Sequence, residues 1–279
     1  LNDAVKPAGD KAGDNGDKDG LVLVDTHAHL VDEAYDHDRK EVIERARAGG
    51  VVQIVNVGYD LDSSRNSVAL AREYDFIYAA VGIHPHDAAR VPAGYLDELG
   101  KLAREQKVVA VGETGLDYYR HLSPRPEQRR VFREQLALAR ELELPVIIHD
   151  RDAHGEVLEI FRQDGLGPAG GVLHCFSGSW EMARECLRMG FYISFAGVVT
   201  YPRSTRLQSI AVNLPPECLL LETDCPYLTP EPRRGKRNEP VYVRYILERI
   251  AELRKMPAAE LASLTTQNAR RLFRLPEST

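Results

Sequence analysis

From residue 21 onward the chain alternates short apolar, β-branched runs with longer stretches whose apolar residues recur at helical spacing. The short runs fall at 21–25, 51–58, 76–82, 108–113, 145–149, 171–176, 191–197 and 219–224. Helical patterns at 38–49, 63–74, 126–142 and 180–189 lie between them, each bounded by Gly, Pro or a capping residue. After the last run, 241–254 and the stretch to Phe273 read as closing helices. Strands this apolar imply a parallel sheet covered by helices on its outer face. Eight repeats of the unit predict an α/β fold, a single (β/α)8 TIM barrel over residues 21–275, in preference to an open doubly wound sheet. No GxGxxG follows the first run, which removes the main support for dinucleotide binding.

Composition narrows the setting. Residues 1–20 are rich in Gly, Asp and Lys with almost no large apolar side chains, so a disordered N-terminal tail is expected there, and residues 276–279 are expected to be a short C-terminal tail. No stretch approaches the ~20 consecutive apolar residues of a membrane span, and the first residues lack a basic-then-apolar leader pattern. No membrane association is therefore expected, a cytoplasmic location is the default, and nothing implies a stable protein partner. Four cysteines without CxxC spacing are expected to be reduced. The net charge of −6 argues against a protein that coats nucleic acid by bulk electrostatics, so any polyanion must be held locally.

The histidines carry the chemistry. In such a barrel, functional side chains come from the C-terminal ends of the strands and the loops that follow. His27 and His29 follow the first run, His84 and His86 the third, His149 ends the fifth and His174 lies in the sixth, while Glu113 ends the fourth and Glu222 and Asp224 the eighth. Burying so many polar groups without a partner is costly, so together they predict a metal site at the C-terminal ends of the strands. In extended chain His27 and His29 face one side and can reach one ion. His149 and His174 suit a second ion beside it, and Glu113, with no Lys or Arg expected at a neighbouring strand end, can bridge the two. Two ions roughly 3.5–4 Å apart can activate a water and stabilise both the attacking and leaving oxygens of a phosphodiester.

The ordered motifs DTHAHL (25–30), GIHPH (82–86), GETGLDYY (112–119), PVIIHDRDA (145–153), HCFSGS (174–179), ETDCPYL (222–228) and RGKRNEP (234–240) resemble the TatD family of metal-dependent deoxyribonucleases over about residues 21–275. The resemblance implies that His27, His29, Glu113 and Asp224 hold one divalent ion and Glu113, His149 and His174 the other. Imidazoles favour Zn2+ or Mn2+, whereas carboxylates and a phosphate substrate also admit Mg2+. It further implies hydrolysis of DNA, commonly 3′-to-5′ exonucleolytic and often extended to RNA.

Individual roles follow. Glu113 and Asp224 are the expected catalytic carboxylates, Asp224 also exchanging a proton with the attacking water. His84 is expected to act without ligating, His86 to be either functional or a loop stabiliser, Asp25 to orient the first loop, and Glu222 to hydrogen-bond a ligand. Strand alternation aims Cys175 and Cys225 away from the metals, as small packing residues. Basic loop residues include Arg120, Arg125, Arg203 and Arg206. Arg234, Lys236 and Arg237 are the expected phosphate contacts, and Tyr118 is expected to stack a base. The rival readings are an amidohydrolase-type hydrolase of a small amide, lactone or ester, a deacylase of aminoacyl-tRNA, and a non-catalytic nucleic-acid binder. In many binuclear amidohydrolases a carbamylated lysine bridges the ions where this chain has Glu113.

Overall fold

The computed structural model describes residues 20–277, so the expected tail at 1–20 lies outside the described residues except for Gly20, as do the last two residues of 276–279. Eight strands, β1 (Leu23–Ala28), β2 (Val51–Val57), β3 (Ile77–Val81), β4 (Val108–Asp117), β5 (Val146–Arg151), β6 (Gly171–Leu173), β7 (Phe191–Phe195) and β8 (Leu219–Leu221), form one parallel sheet whose neighbours follow chain order. The sheet curls until its edges meet: Asp224 N–H donates to the His27 carbonyl at 2.9 Å and His29 N–H to the Cys225 carbonyl at 2.9 Å. This is the (β/α)8 barrel.

Crossover helices α1 (Arg39–Ala48), α2 (Leu61–Glu73), α3 (Tyr95–Ala103), α4 (Arg125–Leu142), α5 (His154–Asp164), α6 (Trp180–Arg188) and α7 (Thr205–Asn213) cover the outside, followed by α8 (Val243–Arg254) and α9 (Ala258–Phe273). Their starts are locally encoded. Asp60 and Ser63 form a reciprocal capping box on α2, and the Ser179 hydroxyl caps α6. Each helix buries one stripe, such as Phe132, Leu136 and Ala139 of α4, between itself and the sheet. A second apolar cluster fills the barrel interior. Val24, Val55, Ala80, Ile147, Val172 and Leu220 come from six strands and meet Ala269, Leu272 and Phe273, so the end of α9 plugs the N-terminal opening. Catalytic groups are left only the C-terminal mouth.

Strand ends differ from the hydrophobic runs in ways that matter for the site. β4 and β5 continue to Asp117 and Arg151, beyond Glu113 and His149, whereas β6 and β8 stop at Leu173 and Leu221, leaving His174, Glu222 and Asp224 on loops. The β4–β5 extension needs Gly115. Its φ is +143°, and a Cβ there would sit 1.9 Å from the His149 carbonyl oxygen, so only glycine lets the two backbones pass this closely. Among the described residues no helix is long and apolar enough to cross a membrane, and all four cysteines are free.

Candidate metal centre

Asp25, buried in β1, sets the entry to the site: its Oδ1 accepts the N–H groups of Thr223 at 2.9 Å and His27 at 3.3 Å, and its Oδ2 accepts the Thr223 hydroxyl at 2.5 Å. That is the loop-orienting role expected of it. His29 donates Nδ1–H to the Val57 carbonyl at 2.9 Å, which leaves Nε2 with a free lone pair facing His27 Nε2 at 3.1 Å. Asp224, in the left-handed region with φ 56°, brings Oδ1 to 3.5 Å from His29 Nε2 and 3.9 Å from His27 Nε2.

Glu113 stands at the centre. Its Oε2 lies 3.4 Å from His27 Nε2 and 3.7 Å from His29 Nε2, while its Oε1 lies 2.7 Å from both His149 Nδ1 and His174 Nε2. The two oxygens of one carboxylate thus face two different groups of nitrogen donors. Donor atoms within 4.8 Å of one another group as His27, His29 and Asp224, as His27, Glu113 and His174, and as His84, Glu113 and His149. Lone pairs and carboxylate oxygens converging at this spacing suit divalent cations of the borderline kind and also admit Mg2+. His27 Nδ1 has no hydrogen-bond partner among the described residues. Glu222 faces His174 Nδ1 at 3.4 Å and accepts Cys175 N–H at 2.5 Å, so it positions this loop.

Electrostatics agree with a site built for positive charge. Burial by itself raises a carboxyl, yet the neighbouring imidazole of His174 and hydrogen bonds from His149 and His174 hold Glu113 well below its ordinary range. Burial likewise opposes charge on His174, but Glu113 and Glu222 outweigh it and push the imidazole well above its usual value. His84 behaves differently. Burial drives it well below 6.5, so it is neutral, and its Nδ1 accepts the His86 N–H at 3.1 Å. The remaining proton therefore sits on Nε2, which points at Glu113 Oε1 from 3.5 Å. His84 presents a donor to the mouth, where a ligand would present a lone pair.

Asp117 was not anticipated. Its buried Oδ2 meets His86 Nε2 at 2.9 Å and His149 Nε2 at 3.1 Å, and its Oδ1 accepts the N–H groups of Tyr119 at 2.9 Å and Arg120 at 2.8 Å. Burial would raise this acid, but the His149 and His86 imidazoles and the Arg120 N–H hold it far below the ordinary carboxylate range. Its spacing of four from Glu113 in extended chain puts both on one side, a signal lost when the strand is taken to stop at 113. The same alternation corrects Tyr118. It faces away from the mouth, is 8% exposed, donates its hydroxyl to Glu156 at 2.5 Å and packs under Arg125, so it has no face to offer a base.

A cavity of about 1570 Å3 opens over the donors, and its walls include Arg39, Arg120 and Arg151 but none of Arg234, Lys236 and Arg237. Arg237 forms a two-pronged pair with Asp38 at 2.8 and 2.6 Å over the Tyr35 ring, which ties the loop after β8 to the start of α1. Arg234 stacks on Tyr201 with Glu231 3.9 Å away, and Lys236 is exposed. The expectation that no basic residue ends a strand beside Glu113 is also corrected, since Arg151 ends β5. Cys225 is buried as expected, whereas Cys175 lines the cavity: β6 has ended at Leu173, and φ 42° at Cys175 breaks the alternation.

A family model described as TatD related DNase matches residues 24–274. The chain belongs to the TatD family. It is 51% identical, over 91% of its length and 100% of the relative, to the Bacillus subtilis (strain 168) protein called uncharacterized metal-dependent hydrolase YabD. It is 41% identical to the 3′-5′ ssDNA/RNA exonuclease TatD of Cronobacter sakazakii, over 90% of this chain and 97% of that one. The solved structure of YJJV, a TatD homolog from Escherichia coli K12, superposes with a TM-score of 0.86 at 34% identity, covering 91% of this chain and 98% of the other. As a TatD-family member the chain is a metal-dependent hydrolase acting on ester bonds.

Proposed function

We propose that this TatD-family protein hydrolyses phosphodiester bonds of DNA, and of RNA, from the 3′ end with two divalent cations, Mg2+, Mn2+ or Zn2+. The supporting observation is Glu113, whose Oε2 faces His27 and His29 while its Oε1 faces His149 and His174. In this reading His27, His29, Glu113 and Asp224 hold one ion, and Glu113, His149 and His174 the other. Cations held there would make a water more acidic and offset charge developing on the phosphoryl oxygens. Asp224, partly open to the cavity, accepts the proton of the attacking water, and the Nε2–H of His84 reaches toward a phosphate oxygen. Asp117 holds the His149 ring in place. The relative named as a ssDNA/RNA exonuclease supports the substrate class.

The test is metal-free protein incubated with 3′- and 5′-labelled DNA and RNA, each metal restored in turn and products resolved by length. Progressive shortening from the 3′ end in the presence of metal is expected. Intact oligonucleotides beside turnover of a lactone, an amide or aminoacyl-tRNA overturn the reading in favour of a small-molecule or deacylase chemistry.

A further inference from the structure

The large hydrophobic side chains exposed among the described residues are Val22, Tyr119, Leu122, Val212 and Tyr227. Three of them gather at the mouth: Leu122 and Tyr227 line the cavity, and Tyr119, 55% exposed, stands against Arg151, which does too. The Arg151 guanidinium lies 4.0 Å from the centre of the Tyr119 ring. A planar cation stacked on an exposed aromatic leaves its N–H edge free for an anion.

Charge around the cavity is uneven. Asp32, Glu33, Asp36 and Asp87 line the side toward α1 and α2, and Arg39, the one cation lining it among the described residues, is paired to Asp36 at 2.6 Å. On the opposite side Arg120 and Arg151 have no carboxylate partner among the described residues. A phosphate chain is repelled by the first side and drawn to the second. Asp117 fixes that second side to the reacting centre, because one of its oxygens binds the backbone of Tyr119 and Arg120 while the other meets His149.

We propose that Tyr119 and Arg151, with Arg120 beside them, form a platform that takes the terminal nucleotides of a single strand, the tyrosine stacking an unpaired base and the guanidiniums holding the adjoining phosphates. The proposal rests on the phosphodiesterase reading above and adds to it where the strand lies and why its bases must be unpaired. Stacking on an aromatic ring tolerates any base, so the preference is for single strands without sequence discrimination.

The experiment uses the full-length, metal-loaded protein and compares KM for a labelled single-stranded oligonucleotide with KM for the same strand made abasic at its cleaved end. Wild type is expected to favour the strand with bases by about tenfold, within the range that one stacked base supplies. Tyr119→Ala should erase that preference, Tyr119→Trp should keep it, and Arg151→Gln should raise KM for both strands alike and flatten its salt dependence. A loop that matters only for folding cannot tell a base from its absence. Equal KM for the two strands in wild type, or a preference that survives in Tyr119→Ala, overturns the platform alone. A wild type that cleaves neither strand with any metal, yet turns over another ester, removes the phosphodiesterase reading and the platform with it.

Discussion

Glu113 and Asp117 lie four residues apart on one face of β4 and divide the work around His149, whose Nδ1 faces the first and whose Nε2 faces the second. Glu113→Ala removes an oxygen from each donor group at once, so under the proposed two-cation reading both ions should bind more weakly and turnover should vanish. Metal counting on the purified variant, together with initial rates, measures this, and two retained ions with normal activity would take Glu113 out of the mechanism. Asp117→Asn keeps an acceptor for the Tyr119 and Arg120 N–H groups but loses the charge that holds two imidazoles. A loss of about 10- to 100-fold in activity or metal affinity is expected, the usual effect of removing the partner of a ligating histidine. Circular dichroism should show the fold intact, and an unchanged rate would reduce Asp117 to a loop anchor.

At the scale of single elements, α5 begins with an ionic contact of its own, His154 Nδ1 to Asp150 Oδ2 at 2.7 Å. The hydrogen bond that His154 donates to Asp150 raises its pKa above 6.5, against the smaller effect of burial. A histidine whose folded pKa lies above its unfolded value contributes stability that is complete below the unfolded pKa and lost as pH rises through the folded one. His154→Gln should therefore lower the melting temperature at about pH 5.5 and have little effect at about pH 9. Because the imidazole is 37% exposed the effect is small, and an equal loss at both pH values would mean that packing, not charge, holds this helix start.

For the molecule as a whole, the barrel gathers histidines and carboxylates whose donor atoms lie within 4.8 Å of one another, and cations bound among them would make contacts that only the native state offers. A ligand that binds only the native state stabilises it by mass action. Chelation should lower the melting temperature and abolish hydrolysis together, and restored Mn2+ or Zn2+ should recover both. Calorimetry with and without chelator decides the matter; an unshifted melting temperature would mean that the cluster satisfies itself without ions. Arg237 belongs to this scale too, since its pair with Asp38 links the loop after β8 to the start of α1 across the barrel's seam.

Eight apolar runs, their helical spacers and the HxH, Glu and Asp positions at run ends were legible in the chain because period-two and period-3.6 patterns record burial locally. They placed His27, His29, Glu113, His149, His174 and Asp224 at one mouth, and the family motifs added their order. Strand length was not legible. How far β4 and β5 run depends on their mutual register past Gly115, a contact between segments distant in sequence, and that register decides that Asp117 faces the site and Tyr118 does not. Nor could a charge run announce its partner: Arg237 meets Asp38 across 199 residues, while Arg120, one of several basic loop residues in the chain, and Arg151, which no pattern singled out, are carried to the cavity wall. Local pattern determines which residues are buried and on which face, but only the closed barrel determines which of the remaining polar groups meet one another.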